Sequence, residues 1–211
     1  MIFRSLSLYC LASLLSCAAA SAQETNKFTF NAGAGFTQPV GNSARHLDTG
    51  WTLGLGAGYN ITSHAGVVLG FDYTHMGINS GTLANVGFPG GNVHVWDFTL
   101  DPIFHITPHK PVDFYLSGGG GVYHWTQEFT APTISTFTAF DPFFGFYNVG
   151  IPTTQILSSY SVVKPGVNIG GGFAFGSRWH AKFYAEARYH KVFLGNDRHT
   201  DYIPVTFGVR F

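Results

Sequence analysis

From Lys27 onward the chain alternates between apolar and small or polar residues. In KFTFNAGAGFT, Phe28, Phe30, Ala32, Ala34 and Phe36 share one face, while Asn31, Gly33, Gly35 and Thr37 share the other. A period of two belongs to an extended strand whose faces meet different surroundings. The pattern returns in WTLGLGAGYN (Trp51, Leu53, Leu55, Ala57, Tyr59), GVVLGFDYT (Val67, Leu69, Phe71, Tyr73) and HVWDFTLDPIF (Trp96, Phe98, Leu100, Phe104). It continues through DFYLSGGGGVYHW (Phe114, Leu116, Val122), VVKPGVNIGGGFAF (Val163, Val167, Ile169, Phe173, Phe175) and KFYAEARYHK (Phe183, Ala185, Ala187, Tyr189). The last stretch, YIPVTFGVRF, places Ile203, Val205, Phe207, Val209 and Phe211 on its greasy face. Glycines blur the phase of the fifth stretch. Eight strands of about ten residues each are predicted, the length of a tilted strand crossing a bilayer.

The connections alternate in length. Those at 61–65, 105–111 and 176–180 are short, and those near 38–49, 76–91, 126–159 and 194–200 are long. Short turns on one rim and long loops on the other are the layout of an outer-membrane barrel, with both termini on the periplasmic side. A soluble barrel or sandwich shares the two-residue period. It would carry a charged outer face, whereas here the greasy face has almost no charge and the other is rich in glycine. The prediction is an all-β fold: an eight-stranded antiparallel up-and-down transmembrane barrel without internal helices. The charge-free run 142–163 is long enough to span a bilayer as a helix, but prolines and glycines interrupt it, and it reads as a loop.

Composition agrees: 10% of residues are charged, 17% are aromatic, and formal net charge is zero, which argues against nucleic acid as a partner. MIFRSLSLYCLASLLSCAAASAQ has a basic Arg4, an apolar run from Leu6 to Leu15 and a small-x-small site at Ala20-Ser21-Ala22. Residues 1–22 therefore read as a signal peptide and 23–211 as the barrel domain. LLSC, ending at Cys17, is the alternative lipoprotein cleavage motif. Both cysteines, Cys10 and Cys17, precede the main site, so the mature chain would have no disulfide or thiol chemistry.

The alternation ending on Phe211 resembles the C-terminal signal that outer-membrane barrels present to their insertion machinery. Residues 23–211 resemble the small eight-stranded outer-membrane barrels of the OmpA/OmpX type. AEARYHKVF with YIPVTFGVRF resembles an uncharacterised outer-membrane beta-barrel family. The resemblance implies a Gram-negative outer membrane, contact with its lipid and lipopolysaccharide, and the barrel assembly machinery as partner during biogenesis. It implies little about activity, because this fold hosts adhesins, lipid A enzymes and anchors alike.

Asp72, Asp97, Asp101, Lys164, Glu186, Arg188 and Arg210 fall on the predicted inner face. An eight-stranded barrel is just wide enough for side chains to fill. Long bases crossing to carboxylates would make a salt-bridged plug, and a narrow channel for small solutes is the alternative. His64, His105, His109 and His180 sit on short turns spread around one rim, and His75, His94 and His124 lie near the other. They read as solvated or girdle residues, and no metal or cofactor is expected. Ser63 beside His64, or Ser158, Ser159 and Ser161 near His190, would be the start of a lipid A hydrolase, but nothing local fixes such a geometry. In the third long loop Phe129, Phe137, Phe140, Phe143, Phe144, Phe146 and Tyr147 are unusually many aromatics for a solvated segment. They are expected to pack on one another over the barrel mouth, or to contact a partner surface or lipid headgroups. The expected role is non-enzymatic: structural, or surface interaction through the outer loops with an extracellular ligand left unnamed.

Overall fold

The computed structural model describes residues 27–108, 110–176, 181–195 and 198–211. The predicted signal peptide with Cys10 and Cys17, together with His109 and His180, lies outside them. Eight strands form a closed barrel in chain order: β1 (Phe28–Pro39), β2 (Gly50–Asn60), β3 (Ala65–Gly77), β4 (Gly90–His105), β5 (Val112–Asp141), β6 (Gly145–Phe175), β7 (Lys182–Gly195) and β8 (Arg198–Arg210). Every neighbouring pair is antiparallel, and β8 returns to β1 with Ala32 opposite Val209 and Phe36 opposite Val205. Closure leaves no open edge in the ring, the condition for a sheet to cross lipid.

Directly opposed residues share a face, so the register carries each alternation into the next strand. Leu55 lies between Ala32 and Phe71, and Phe71 faces Phe98 in turn. Leu55 is 58% exposed, and Leu69, Phe98, Leu116, Ile169 and Phe207 are exposed with it. This uncharged belt is far beyond what a water-soluble monomer leaves bare, and it faces lipid. β5 keeps its phase through Gly118–Gly121: Leu116 and Val122 point out, and Tyr115, Ser117 and Tyr123 are buried inside. Gly119 and Gly121 are required there. A Cβ on either would collide with the carbonyl oxygens of Leu100 and Phe98, where β4 passes close behind.

Two expectations about the outer loops are overturned. First, the β3–β4 connection contains a helix, α1 (Ser80–Val86). Asn79 caps it by accepting from the Gly81 N–H (2.8 Å), and Gly87 ends it in the left-handed region (φ +76°). Seven residues with a single apolar anchor, Leu83, show no helical period, which is why the alternation gave no sign of it. A shorter 3-10 turn, Ser43–Arg45, follows β1. Second, the segment read as a loop is a β-hairpin, because β5 and β6 run on past the barrel and stay paired to Asp141 opposite Gly145. The turn Asp141-Pro142-Phe143-Phe144-Gly145 is held by the Asp141 carboxylate, which accepts from the N–H groups of Phe143 (2.8 Å) and Phe144 (3.1 Å). Gly145 completes it at φ +75°.

Candidate functional site

The lumen is filled in three layers. At its centre the Arg188 guanidinium bridges two strands' acids: Nη1 donates to Asp101 Oδ2 at 2.8 Å, and Nε donates to Glu186 Oε1. Asp101 also accepts from Thr99 Oγ1 (2.7 Å) and Asn168 Nδ2 (2.8 Å). Glu186 Oε2 accepts from Tyr115 Oη (2.7 Å), and Arg210 Nη2 stands 4.0 Å from the same oxygen. These carboxylates are desolvated but multiply hydrogen-bonded, the condition under which buried ion pairs persist. Asp97 is opposed to Asp72 in register, is fully buried, and has neither carboxylate oxygen bonded among the described residues. A void of about 30 Å³ beside Asp72, Glu186, Arg188 and His190 has room for about two waters.

Toward the short turns, the Arg210 guanidinium lies over the Tyr115 ring (4.4 Å) and near Tyr184 (5.4 Å). His105 Nδ1 and Asp113 Oδ2 are 2.6 Å apart at that rim. Toward the long loops the lumen turns apolar. Met76, Val93, Val95, Tyr123, Val192 and Tyr202 are sealed in one cluster, closed from above by Ile78 and Leu83 of the α1 segment. Phe88 and Phe129 stack over it with centroids 4.4 Å apart.

Of the predicted inner charges, Asp101, Glu186, Arg188 and Arg210 meet. Asp72 and Asp97, opposed in register, line the same interior without an ion pair among the described residues. Lys164 faces inward, opposite Tyr123, but sits toward the outer end, where a Cβ on Gly195 would be 3.7 Å from its ammonium. It does not reach the carboxylates. Sequence reasoning missed the hydrogen-bonding partners Tyr115, Asn168 and Thr99. It also placed His190 near the outer rim serines, whereas His190 is buried, with Nδ1 3.1 Å from Tyr123 Oη and its ring stacked on Tyr202. Parity alone would have found these residues, since all share the inward register. Ser63 Oγ and His64 Nδ1 are 3.0 Å apart on the β2–β3 turn. On the lipid side near the outer rim, Trp51, Tyr73, His75, His94 and Trp96 form a contiguous girdle, with Tyr73 Oη 2.6 Å from His94 Nδ1. No group of three or more His, Cys, Asp or Glu residues is arranged to hold a metal among the described residues.

The hairpin is the other feature. β4 accompanies β5 only as far as Thr130, and β7 accompanies β6 only from Gly166 onward. The ribbon beyond therefore has two unpaired edges and, at ~3.3 Å per residue, stands on the order of 35 Å above the barrel. Between residues 129 and 163 its one charged residue is Asp141. At the tip Phe143 and Phe144 are 92% and 86% exposed, and Phe140 and Phe146 flank them with rings 5.0 Å apart. Phe137 and Tyr147 are exposed further down. The expected packing of these rings over the barrel mouth is thus corrected: the paired strands hold them away from it, and Phe129 alone of the group reaches the cap. Ile203, Val205, Phe207 and Val209 lie on the outward face of β8, and Phe211 completes the seam with β1 through Phe211 N–H to Phe30 O (2.8 Å) and Phe30 N–H to Phe211 O (3.1 Å).

Residues 8–211 match the family described as Outer membrane protein beta-barrel domain. No curated protein matches the chain in sequence. Among solved structures, Neisserial surface protein A is similar at a TM-score of 0.57 and 15% identity, covering 87% of this chain and 95% of that one. OprG from Pseudomonas aeruginosa (TM-score 0.49, 13% identity, 88% and 95% covered) is also similar. So is Ail of Yersinia pestis in complex with the heparin analogue sucrose octasulfate (0.48, 19%, 88% and 99%). With its closed ring of strands, lipid-facing belt and matched length, the chain belongs to the outer membrane protein beta-barrel family and resides in the outer membrane.

Proposed function

We propose that the barrel is a non-enzymatic anchor that carries the β5–β6 ribbon out to contact an apposed surface. The observation behind this is the ribbon itself: some twenty residues of paired strand, almost without charge, ending in bare phenylalanines. An exposed aromatic tip whose one charge, the Asp141 carboxylate, is taken up by the turn's own N–H groups fits the interfacial zone of a lipid bilayer or another apolar surface better than it fits water. The filled lumen supports an anchor over a channel, since ion pairs and an apolar cap lie in series along it.

Flotation of nanodisc-embedded protein with zwitterionic phosphatidylcholine vesicles tests the proposal. The wild type should co-float, and Phe143→Ser with Phe144→Ser should lose most of that binding while the barrel stays heat-modifiable on a cold gel. Equal flotation of the serine variant, or none by the wild type, would remove the role of the tip. Lipid A from overexpressing cells should keep its mass; a new lipid A species would overturn the non-enzymatic assignment.

A further inference from the structure

A cavity of about 230 Å³ opens at the outer end of the barrel, separate from the ribbon tip and from the charged lumen. Its floor is the top of the apolar cap: Leu47, Ile78, Val93 and the Trp125 ring. Its rim comes from different elements: Asn42 before the 3-10 turn, Thr82 of α1 and Gln127 of β5. The Asn42 side chain does not cap the 3-10 turn, and the Gln127 amide stands on the opposite part of the rim. His46 uses Nδ1 on Thr82 Oγ1 (3.2 Å), leaving its other nitrogen open, while His199 is engaged with Asp201 (3.1 Å). Among the described residues no Asp, Glu, Lys or Arg lines the cavity.

We propose that this cavity is a binding site for a single neutral ring bearing hydroxyl groups, a pyranose either free or at the end of a glycan. Three properties select that class. The described lining carries no fixed charge with which phosphate, sulfate, carboxylate or ammonium could pair. The volume falls below the roughly 300 Å³ at which drug-sized sites begin, so one ring fills it. The floor is apolar and the rim offers amides and an imidazole nitrogen, so the ligand must be two-faced. A pyranose presents a C–H face to an indole and hydroxyls at its edge that match the donor-and-acceptor pairs of Asn and Gln. A wholly apolar ring would strip water from those amides without replacing it.

Saturation-transfer NMR on the intact protein in nanodiscs tests this, with methyl β-D-glucopyranoside and methyl β-D-galactopyranoside as probes. Glucuronate serves as the charged control and cyclohexylmethanol as the apolar one. At least one glycoside should saturate with Kd near about 1 mM, equivalent to ~4 kcal/mol. Gln127→Leu should weaken it about tenfold, and Thr82→Phe, which fills the rim, should abolish it, with both variants still heat-modifiable. The tip variant Phe143→Ser/Phe144→Ser should bind the glycoside normally, so this site and the ribbon contact stand or fall separately. A tetrasaccharide ending in the same sugar separates the sources: binding assigns glycan ends, and exclusion assigns the free sugar, each with the site intact. No saturation by either glycoside, equal binding of cyclohexylmethanol or glucuronate, or wild-type binding by both pocket variants would overturn the proposal.

Discussion

Arg188 shows what a single side chain does in a space too narrow for bulk water. It holds Asp101 and Glu186, each already accepting from Thr99, Asn168 or Tyr115, so its removal strips Asp101 of its cation and leaves Glu186 with Arg210 at 4.0 Å alone. Arg188→Ala should therefore destabilise by about 3–5 kcal/mol, the usual cost of removing one partner of a buried pair. Glu128→Gln, which breaks a partly exposed 3.6 Å contact to His94 at the rim, should cost under about 1 kcal/mol. Urea unfolding midpoints in lipid vesicles measure both, and equal losses would show that lumen water screens the central pair as well as it screens the rim. At this scale the sequence discloses the face of each residue but not its height. Lys164 has the inward parity of the network, yet it lies six residues up β6 from Gly170, the partner of Arg188. At ~3.3 Å per residue that is roughly 20 Å from Arg188, while Asp97, level with Lys164, is two strands away with Tyr123 between them.

Whole strands were legible wherever lipid and lumen impose opposite demands on successive residues. Near the outer rim those demands reverse. His75, His94 and His124 point outward toward headgroups, while Val93, Val95 and Met76 point inward under the cap. Hydrophobicity no longer marks the outside there, and the apolar cap went unread. The ribbon failed for another reason: neither of its faces packs against anything, so no alternation is selected, and its pairing and turn chemistry alone make it a strand. β8 is the opposite case, readable to its last residue because Phe211 both faces outward and closes the seam. Deleting Phe211 removes the two backbone hydrogen bonds to Phe30 together with an outward aromatic. The fraction of heat-modifiable barrel in the outer membrane should fall, with degradation in the periplasm, while Phe211→Tyr should restore it. Full assembly of the deletion variant would mean that neither the seam nor the terminal aromatic matters to insertion.

Taken as one body, the barrel has two seals in series, and they obey different physics. The central seal is electrostatic: the Arg188 bridge fills the cross-section and leaves a void of about 30 Å³. The outer seal is a hydrophobic constriction of Met76, Val93, Val95, Tyr123, Val192 and Tyr202 under α1, which excludes ions by refusing water. Wild-type protein in planar bilayers should therefore show conductance near zero. Glu186→Ala or Arg188→Ala should not raise it, because the apolar seal stays in place. Replacing Met76, Val93 and Val95 together by serine wets the constriction but leaves the ion pairs, and should also give little conductance. Only the two changes together should open a narrow, steady path. Steady current through the wild type would return the channel alternative to first place. Conductance from Arg188→Ala alone would show that the apolar cap is wet, and that the charged layer is the one barrier to ions.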